Sequence, residues 1–249
     1  MDASGFKVYR NAIGQNLIRE CKAILLSILS NPKYIDMGLT FHELYKNKPD
    51  RFPNIGLDEI DAKDLFIVNN PSKDYIEFRN LLVSNVLWYF AANCFAHPQN
   101  DIAFSFMNIT RKPAKFGPSI NWHRDFGNKM TSTKSSKNML RIIIPLDSCG
   151  AENGAIAVVP GSHKIKDCMV LDGYKKDIDY CNRKNEVVSL SAGNMLAISS
   201  KLIHGSGVNR SNIDRDNIVI QFVLKGSEHI CEYQDEPFHN YSLHEIRNF

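Results

Sequence analysis

The stretch NIVIQFVLK, residues 217–225, is short, rich in β-branched and aromatic side chains, and opens on an asparagine. The chain after about residue 100 repeats this texture in DIAFSFMNIT (101–110), NMLRIIIPLD (138–147), GAIAVVPG (154–161), EVVSLSAG (186–193) and NMLAISS (194–200), most of them bounded by Gly, Pro, Asn or Asp. Short apolar segments spaced by turn residues read as strands of an all-β sandwich or barrel. No repeat period points to a solenoid, and no glycine-rich linker divides the chain.

The first hundred residues have a different pattern. IGQNLIRECKAILLSILS (13–30) carries apolar residues at three- and four-residue steps and stops before Asn31-Pro32, which predicts a helix. A second helix is expected over about 72–94, where Ile76, Leu82, Val83, Val86, Leu87 and Phe90 share one broad face. The Pro- and Asp-rich segment between them, 43–64, reads as loop with room for a short helix. The expectation is a single domain over 1–249: a mostly helical part at 1–99, a β core at 100–224 and a C-terminal segment at 225–249. Two long excursions, 126–137 and 163–185, have the length of lids or binding loops, and equally of solvated loops without a role.

Bulk properties exclude several classes. Apolar residues make up 43% and charged residues 23%, the balance of an ordinary globular protein rather than a disordered one. A formal net charge of +3 is too small for a nucleic-acid binder, which concentrates basic residues. The N-terminus lacks the layout of a signal peptide, and the longest apolar run, Ala23–Leu29, is far short of the ~20 residues that cross a bilayer. A cytoplasmic protein without membrane or nucleic-acid partners is expected. The six cysteines show no metal-binding spacing and read as reduced thiols.

NWHRDFGN, residues 121–128, places His123 and Asp125 two apart. On a strand these would project to one face, with Arg124 turned away. A third metal ligand would come from elsewhere: among His42, His97, His163, His204, His229, His239 and His244, the best placed is His204, after the apolar NMLAISSKLI and before a glycine turn. Two histidines and a carboxylate form the facial triad of non-haem Fe(II) oxygenases, whereas structural zinc asks for four protein ligands. Arg215, on a strand reached by a turn near 208–212, would supply a fork for a co-substrate carboxylate, with Arg210 as its rival nearer the turn. Read alone, the same residues also fit a polar loop pair and a histidine satisfied at a strand end.

Several ordered motifs resemble the phytanoyl-CoA dioxygenase family of Fe(II)/2-oxoglutarate-dependent oxygenases. They are WHRD (122–125), ENGAIAVVPGSHK (152–164) and SAGNMLAISSKLIHGSGVNRS (191–211), followed by Arg215, and the likeness covers roughly 100–224. One departure is Gly193-Asn194, where the family usually has Gly-Asp; asparagine serves a turn equally well. The resemblance implies a double-stranded β-helix, a jelly-roll or cupin-like barrel with flanking N-terminal helices. It implies iron at His123, Asp125 and His204, and 2-oxoglutarate held by Arg215 with help from Ser206. MNITRKP (107–113) resembles a family strand that also touches the co-substrate, which adds Met107 and Arg111. The implied reaction consumes O2 and 2-oxoglutarate, releases succinate and CO2, and hydroxylates an unactivated C–H of a small molecule. Related halogenases have a small residue where Asp125 stands, so hydroxylation is favoured over halogenation. Desaturation, cyclisation, epimerisation and a non-catalytic ligand-binding barrel remain alternatives. Arg111, Lys112, Lys115 and Arg141 lie near the site in sequence and would favour an anionic substrate if they line its mouth. Phe116, Trp122 and Phe126 are expected as pocket walls or as core. Oligomeric state is not readable.

Overall fold

The computed structural model of the chain describes residues 1, 3–31, 37–41, 43, 65–127, 132–165, 178–230, 235 and 237–249. His42, Cys168, Cys231, most of the 43–64 segment and the middles of both long excursions lie outside them. Cys21, Cys94, Cys149 and Cys181 are buried and form no disulfide with one another.

Two antiparallel sheets face one another. The larger runs in the order β1 (Phe6–Tyr9), β9 (Met195–Ser199), β6 (Met139–Pro145), β11 (Arg215–Leu224), β4 (Ile102–Lys112), β3 (Leu65–Asn69), β2 (Gly38–Thr40). The smaller runs β5 (Ile120–His123), β10 (His204–Ser206), β7 (Ile156–Val158), β8 (Glu186–Val187). With helices over the outer face of the larger sheet, this is the double-stranded β-helix.

Strand pleating sorts the side chains. Along β11, Ile218, Ile220 and Phe222 enter one core cluster with Ile142 and Ile144 of β6, Met107 and Ile109 of β4, and the helices. The intervening Ile143, Leu196 and Ile198 join Val158 and Leu202 in a second cluster between the sheets. A strand with both faces buried carries a nearly continuous apolar run, and this is why the central strands stood out in the sequence.

The first helix, α1 (Gln15–Ser30), buries Ile18, Cys21, Leu25 and Ile28, the spacing its sequence predicts. The second expected helix is three pieces: α2 (Pro71–Asp74), α3 (Ile76–Leu82) and α4 (Asn85–Phe95). Tyr75 and Ser84 adopt extended backbone at the two breaks. At the second break the buried Trp88 indole Nε1 donates to the Leu82 carbonyl at 2.6 Å, while its ring meets Phe222 edge-on at 4.9 Å. That contact fastens α4 to β11. Two further helices follow, α5 (Ile178–Lys184) and α6 (Leu243–Arg247). No described helix is long and apolar enough to cross a membrane.

The N-terminal part is less helical than expected, because β1, β2 and β3 extend the large sheet at its edges. These are strands of three to five residues. Such short strands are defined by the neighbour they pair with, not by their own composition. Conversely, EVVSLSAG supplies only the two residues of β8, and its remainder contributes an isolated bridge between Cys149 and Leu190.

Trp88→Ala is expected to cost ~3–5 kcal/mol, the range for removing a large buried aromatic. Urea unfolding followed by far-UV circular dichroism measures the loss as a lowered midpoint.

Candidate metal centre and co-substrate pocket

His123 and His204 are direct cross-strand partners on β5 and β10, so the pairing register itself brings the two rings together, with centroids 4.2 Å apart. The Nδ1 of His123 lies 2.8 Å from the Asn121 carbonyl, and that of His204 3.0 Å from the Leu202 carbonyl. A carbonyl only accepts, so in each ring Nδ1 carries a proton and Nε2 is the nitrogen turned toward a metal. Both Nε2 atoms are 3.8 Å from Asp125 Oδ1. Two bonds of ~2.1 Å through a shared cation span that separation. His123, Asp125 and His204 are also the one such cluster of possible metal ligands among the described residues. Two imidazoles with one carboxylate and no thiolate suit non-haem iron better than structural zinc.

Asp125 lies just beyond the end of β5, and its placement has its own supports. Its carbonyl accepts from Ser132 Oγ at 3.1 Å. Its Oδ1 receives Arg141 Nη1 at 2.6 Å. Arg141 is in turn held from behind. Its Nε donates to Gln221 Oε1 at 3.3 Å, Gln221 Nε2 donates to Ser105 Oγ at 3.2 Å, and the guanidinium lies 5.3 Å from the Phe106 ring centroid. Arg124 turns the other way, as the alternation anticipated, and donates to the carbonyls of Ser162 and Ile165 at 2.8 and 3.2 Å.

A cavity between the sheets is lined by both His123 and His204 and by Arg215. Ile143, Ile156, Ile198 and Val219 line it with aliphatic surface; Ser206, Asn217 and Thr110 add polar groups. Arg215 is 3% exposed, and burial lowers its pKa from the ordinary arginine value. One donor is satisfied: Asn217, with its amide oxygen turned to the guanidinium, accepts from Nη1 at 2.5 Å. Arg215 Nε and Ser206 Oγ are buried without a protein partner. Unpaired buried donors lining a cavity fit an acceptor-rich ligand such as a carboxylate.

The structure therefore brings together His123, Asp125, His204, Ser206 and Arg215. It does not bring Met107 or Arg111 to the cavity. Both lie on the face of β4 opposite Thr110: Met107 is in the helix-side core, and Arg111 pairs with Asp216 at 3.2 Å and Asp214 at 3.3 Å. Two details of the expected path also differ. His204 begins β10 instead of ending the preceding strand, and Arg215 lies on the facing sheet, across from β10 and not hydrogen-bonded to it. Of the other histidines, His163 packs against Gly5, and His229 and His239 pair with each other at 4.9 Å. Arg210 lines a separate surface hollow with Glu152. Trp122 and Phe126 pack in small core clusters, and Phe116 is exposed, so none of the three walls the cavity. At the departure from the family pattern, Asn194 Oδ1 accepts from the Asn11 backbone N–H at 2.9 Å, so the asparagine serves its turn.

Sequence reading missed Arg141 as the partner of Asp125, and Gln221 behind it. A signal was present: each is the polar residue inside an otherwise apolar strand, NMLRIIIPLD and NIVIQFVLK.

The family model described as phytanoyl-CoA dioxygenase (PhyH) matches residues 67–217. A dioxygenase of Aspergillus aculeatus, aneA, is 37% identical over 67 residues, 27% of this chain and 20% of that protein, so the chain matches about a fifth of its relative's length. Among solved structures, EvdMO1 superposes with a TM-score of 0.68 at 25% identity, over 88% of this chain and 47% of that one. The epimerase SnoN in complex with Fe3+, α-ketoglutarate and nogalamycin RO superposes with a TM-score of 0.67 at 14% identity, over 90% of this chain and 81% of that one.

His204→Ala is expected to reduce Fe(II) affinity by more than the ~10–100-fold that loss of an outer-shell partner costs. Arg124→Ala should leave it unchanged. Anaerobic titration with Fe(II) under a competing chelator compares the two.

Proposed function

The chain belongs to the phytanoyl-CoA dioxygenase (PhyH) family, and on that premise we propose that it is an Fe(II)- and 2-oxoglutarate-dependent dioxygenase that hydroxylates an unactivated C–H of a small molecule. The observation that carries this reading is the convergence of two Nε2 atoms on Asp125 Oδ1, beside a cavity lined by both histidines and Arg215. His123, Asp125 and His204 would hold the metal, and Arg215 with Ser206 the distal carboxylate of 2-oxoglutarate. When bound, the metal supplies oxygen activation coupled to decarboxylation of 2-oxoglutarate, with succinate and CO2 as products.

The chain's own residues do the rest. The Asn121 and Leu202 carbonyls fix both imidazoles in the metal-binding tautomer. Arg141 orients the Asp125 carboxylate. Arg215 offers a planar fork that selects a carboxylate at one fixed distance from the triad. Aliphatic walls keep bulk water from the reacting centre, which protects a reactive oxidant from quenching. The presence of Asp125 favours hydroxylation over halogenation, because the carboxylate occupies the position a halide would need. Arg141 also supports an anionic substrate, since it is a guanidinium on the cavity wall next to the triad.

Epimerisation is the second reading, favoured by the fold shared with the epimerase SnoN. Both readings share metal and co-substrate and differ in what happens to the oxidised carbon.

Two measurements test the proposal. Aerobic incubation with Fe(II), 2-oxoglutarate and a substrate panel should release succinate, with no release when O2 is excluded; no O2-dependent succinate from any member counts against the oxygenase reading. Product mass then separates the outcomes, since hydroxylation adds one oxygen and epimerisation leaves mass unchanged. Arg215→Gln should raise the half-saturating 2-oxoglutarate concentration by about 10- to 100-fold, as expected from losing a charge-assisted bidentate contact of ~1.5–3 kcal/mol.

A further inference from the structure

Lys112 ends β4 directly opposite Arg215, the first residue of β11. Like charges placed directly across an antiparallel pair repel. Here both are also withdrawn from water, at 1% and 3% exposure. Lys112 follows Thr110 on the inner face, and its side chain runs toward Gly154 and Gly207 on the facing layer. Its Nζ donates to the carbonyl of Gly207. Escape to solvent is closed by packing. A Cβ at Gly154 would lie 3.1 Å from Lys112 Nζ, and one at Gly117 would lie 2.5 Å from Lys112 Cβ.

No carboxylate faces this amine among the described residues. Asp216 and Arg111 project from neighbouring positions to the opposite sheet face, where they pair with each other. Asp147 pairs with Lys22 of α1 at 2.7 Å. The Cys149 thiol nearby is pushed up to about 11 by burial and is therefore neutral. Arg215 is the charged neighbour that remains. Burial first, and Arg215 second, hold the Lys112 pKa well below the ordinary lysine value. The buried Arg215 cation, with its Nε and the nearby Ser206 Oγ unpartnered and a buried amine on the facing strand, lacks a paired anion among the described residues.

We propose that Lys112 is the second cation of the co-substrate subsite: a carboxylate seated against Arg215 draws a proton from solvent onto its amine, so that binding of the 2-oxoglutarate dianion is coupled to proton uptake. This rests on the co-substrate reading above and deepens it. The only bond formed is the third N–H of the ammonium, with the proton drawn from buffer. The sign follows from linkage. The carboxylate favours the charged amine, so the proton affinity of Lys112 rises on binding. The affinity for 2-oxoglutarate is then greatest at low pH. It falls by up to ~10-fold per pH unit as pH rises from the free-state to the bound-state value of Lys112.

Calorimetric titration of the Mn(II)-loaded full chain with 2-oxoglutarate, in buffers of small and large protonation enthalpy, reads the linked protons directly. Repeating it from pH ~6 to ~9 gives the affinity profile. Wild type should take up about one proton with 2-oxoglutarate and none with pyruvate, which lacks the distal carboxylate. Lys112→Met should bind 2-oxoglutarate without proton uptake and with a pH-independent affinity. Lys112→Arg, charged at every pH, should likewise show no uptake. Circular dichroism confirms that both variants are folded, and removal of a buried amine should leave thermal stability undiminished. Binding of 2-oxoglutarate to wild type with no proton uptake, or equal uptake by Lys112→Met, overturns the role of Lys112 alone. Absence of 2-oxoglutarate binding overturns the co-substrate reading and this inference with it.

Discussion

The two-residue alternation of β11 is the constraint on which the rest depends. A pleated strand must send successive side chains to opposite faces. In β11 this divides labour between Ile218, Ile220 and Phe222, which anchor the helices, and Arg215, Asn217 and Val219, which line the cavity. A slip of one residue against β4 or β6 would put Arg215 among the helices and Phe222 in the cavity. The register is held on both sides, by β4 and by β6, through most of the strand. The position of the cavity cation is thus a by-product of core packing.

At the N-terminal end of β11 the same alternation produces an electrostatic division. Asp216 points outward into a buried knot: Lys22 Nζ reaches it at 2.6 Å, and Arg111 Nε reaches it at 3.2 Å. Burial raises the Asp216 pKa, and the two cations oppose that rise. Lys22 is itself drawn above the ordinary lysine value by Asp216 and Asp147, against the cost of its own burial. One residue away, Arg215 faces inward, where burial lowers its pKa and Cys149, Asp216 and Asp147 only partly oppose that shift. Directly paired charge on the outer face and a guanidinium with an unpartnered Nε on the inner face is the pattern of a scaffold on one side and a receptor on the other. It also explains why Arg111 is absent from the cavity. The motif likeness located its strand correctly, but residue 111 has the parity of Ile109, and Thr110 has the parity of the site.

Legibility followed burial. Strands buried on both faces, β4, β6, β9 and β11, carry dense β-branched and aromatic runs and could be read from composition alone. The short strands could not. β5 and β10 contribute His123 and His204, yet a strand such as His204–Ser206 has too few residues for any period. Their histidines were found because metal chemistry restricts residue types and spacing, while the local structure followed from pairing across the sheet. The breaks at Tyr75 and Ser84 were hidden for a related reason. Apolar residues continue through both, and the signal for interruption is tertiary, the Trp88 indole capping the Leu82 carbonyl.

Arg141 illustrates how far parity alone can carry a functional argument. In β6 its neighbours Leu140 and Ile142 face the helices, so position 141 faces the cavity by geometry. A charged residue there is costly unless it is paired and supported. The support is visible in layers: Asp125 in front, Gln221 and Phe106 behind, and Ser105 behind Gln221. Such a chain is more than is needed to neutralise one carboxylate, which a surface lysine would do. It fixes the direction of the guanidinium plane, and therefore the orientation of Asp125 relative to both imidazoles. Arg215 of β11 and Arg141 of the neighbouring β6 both line the cavity, so two guanidiniums from adjacent strands face it. A group in this cavity would meet guanidinium donors beside aliphatic surface from Ile143, Ile156, Ile198 and Val219.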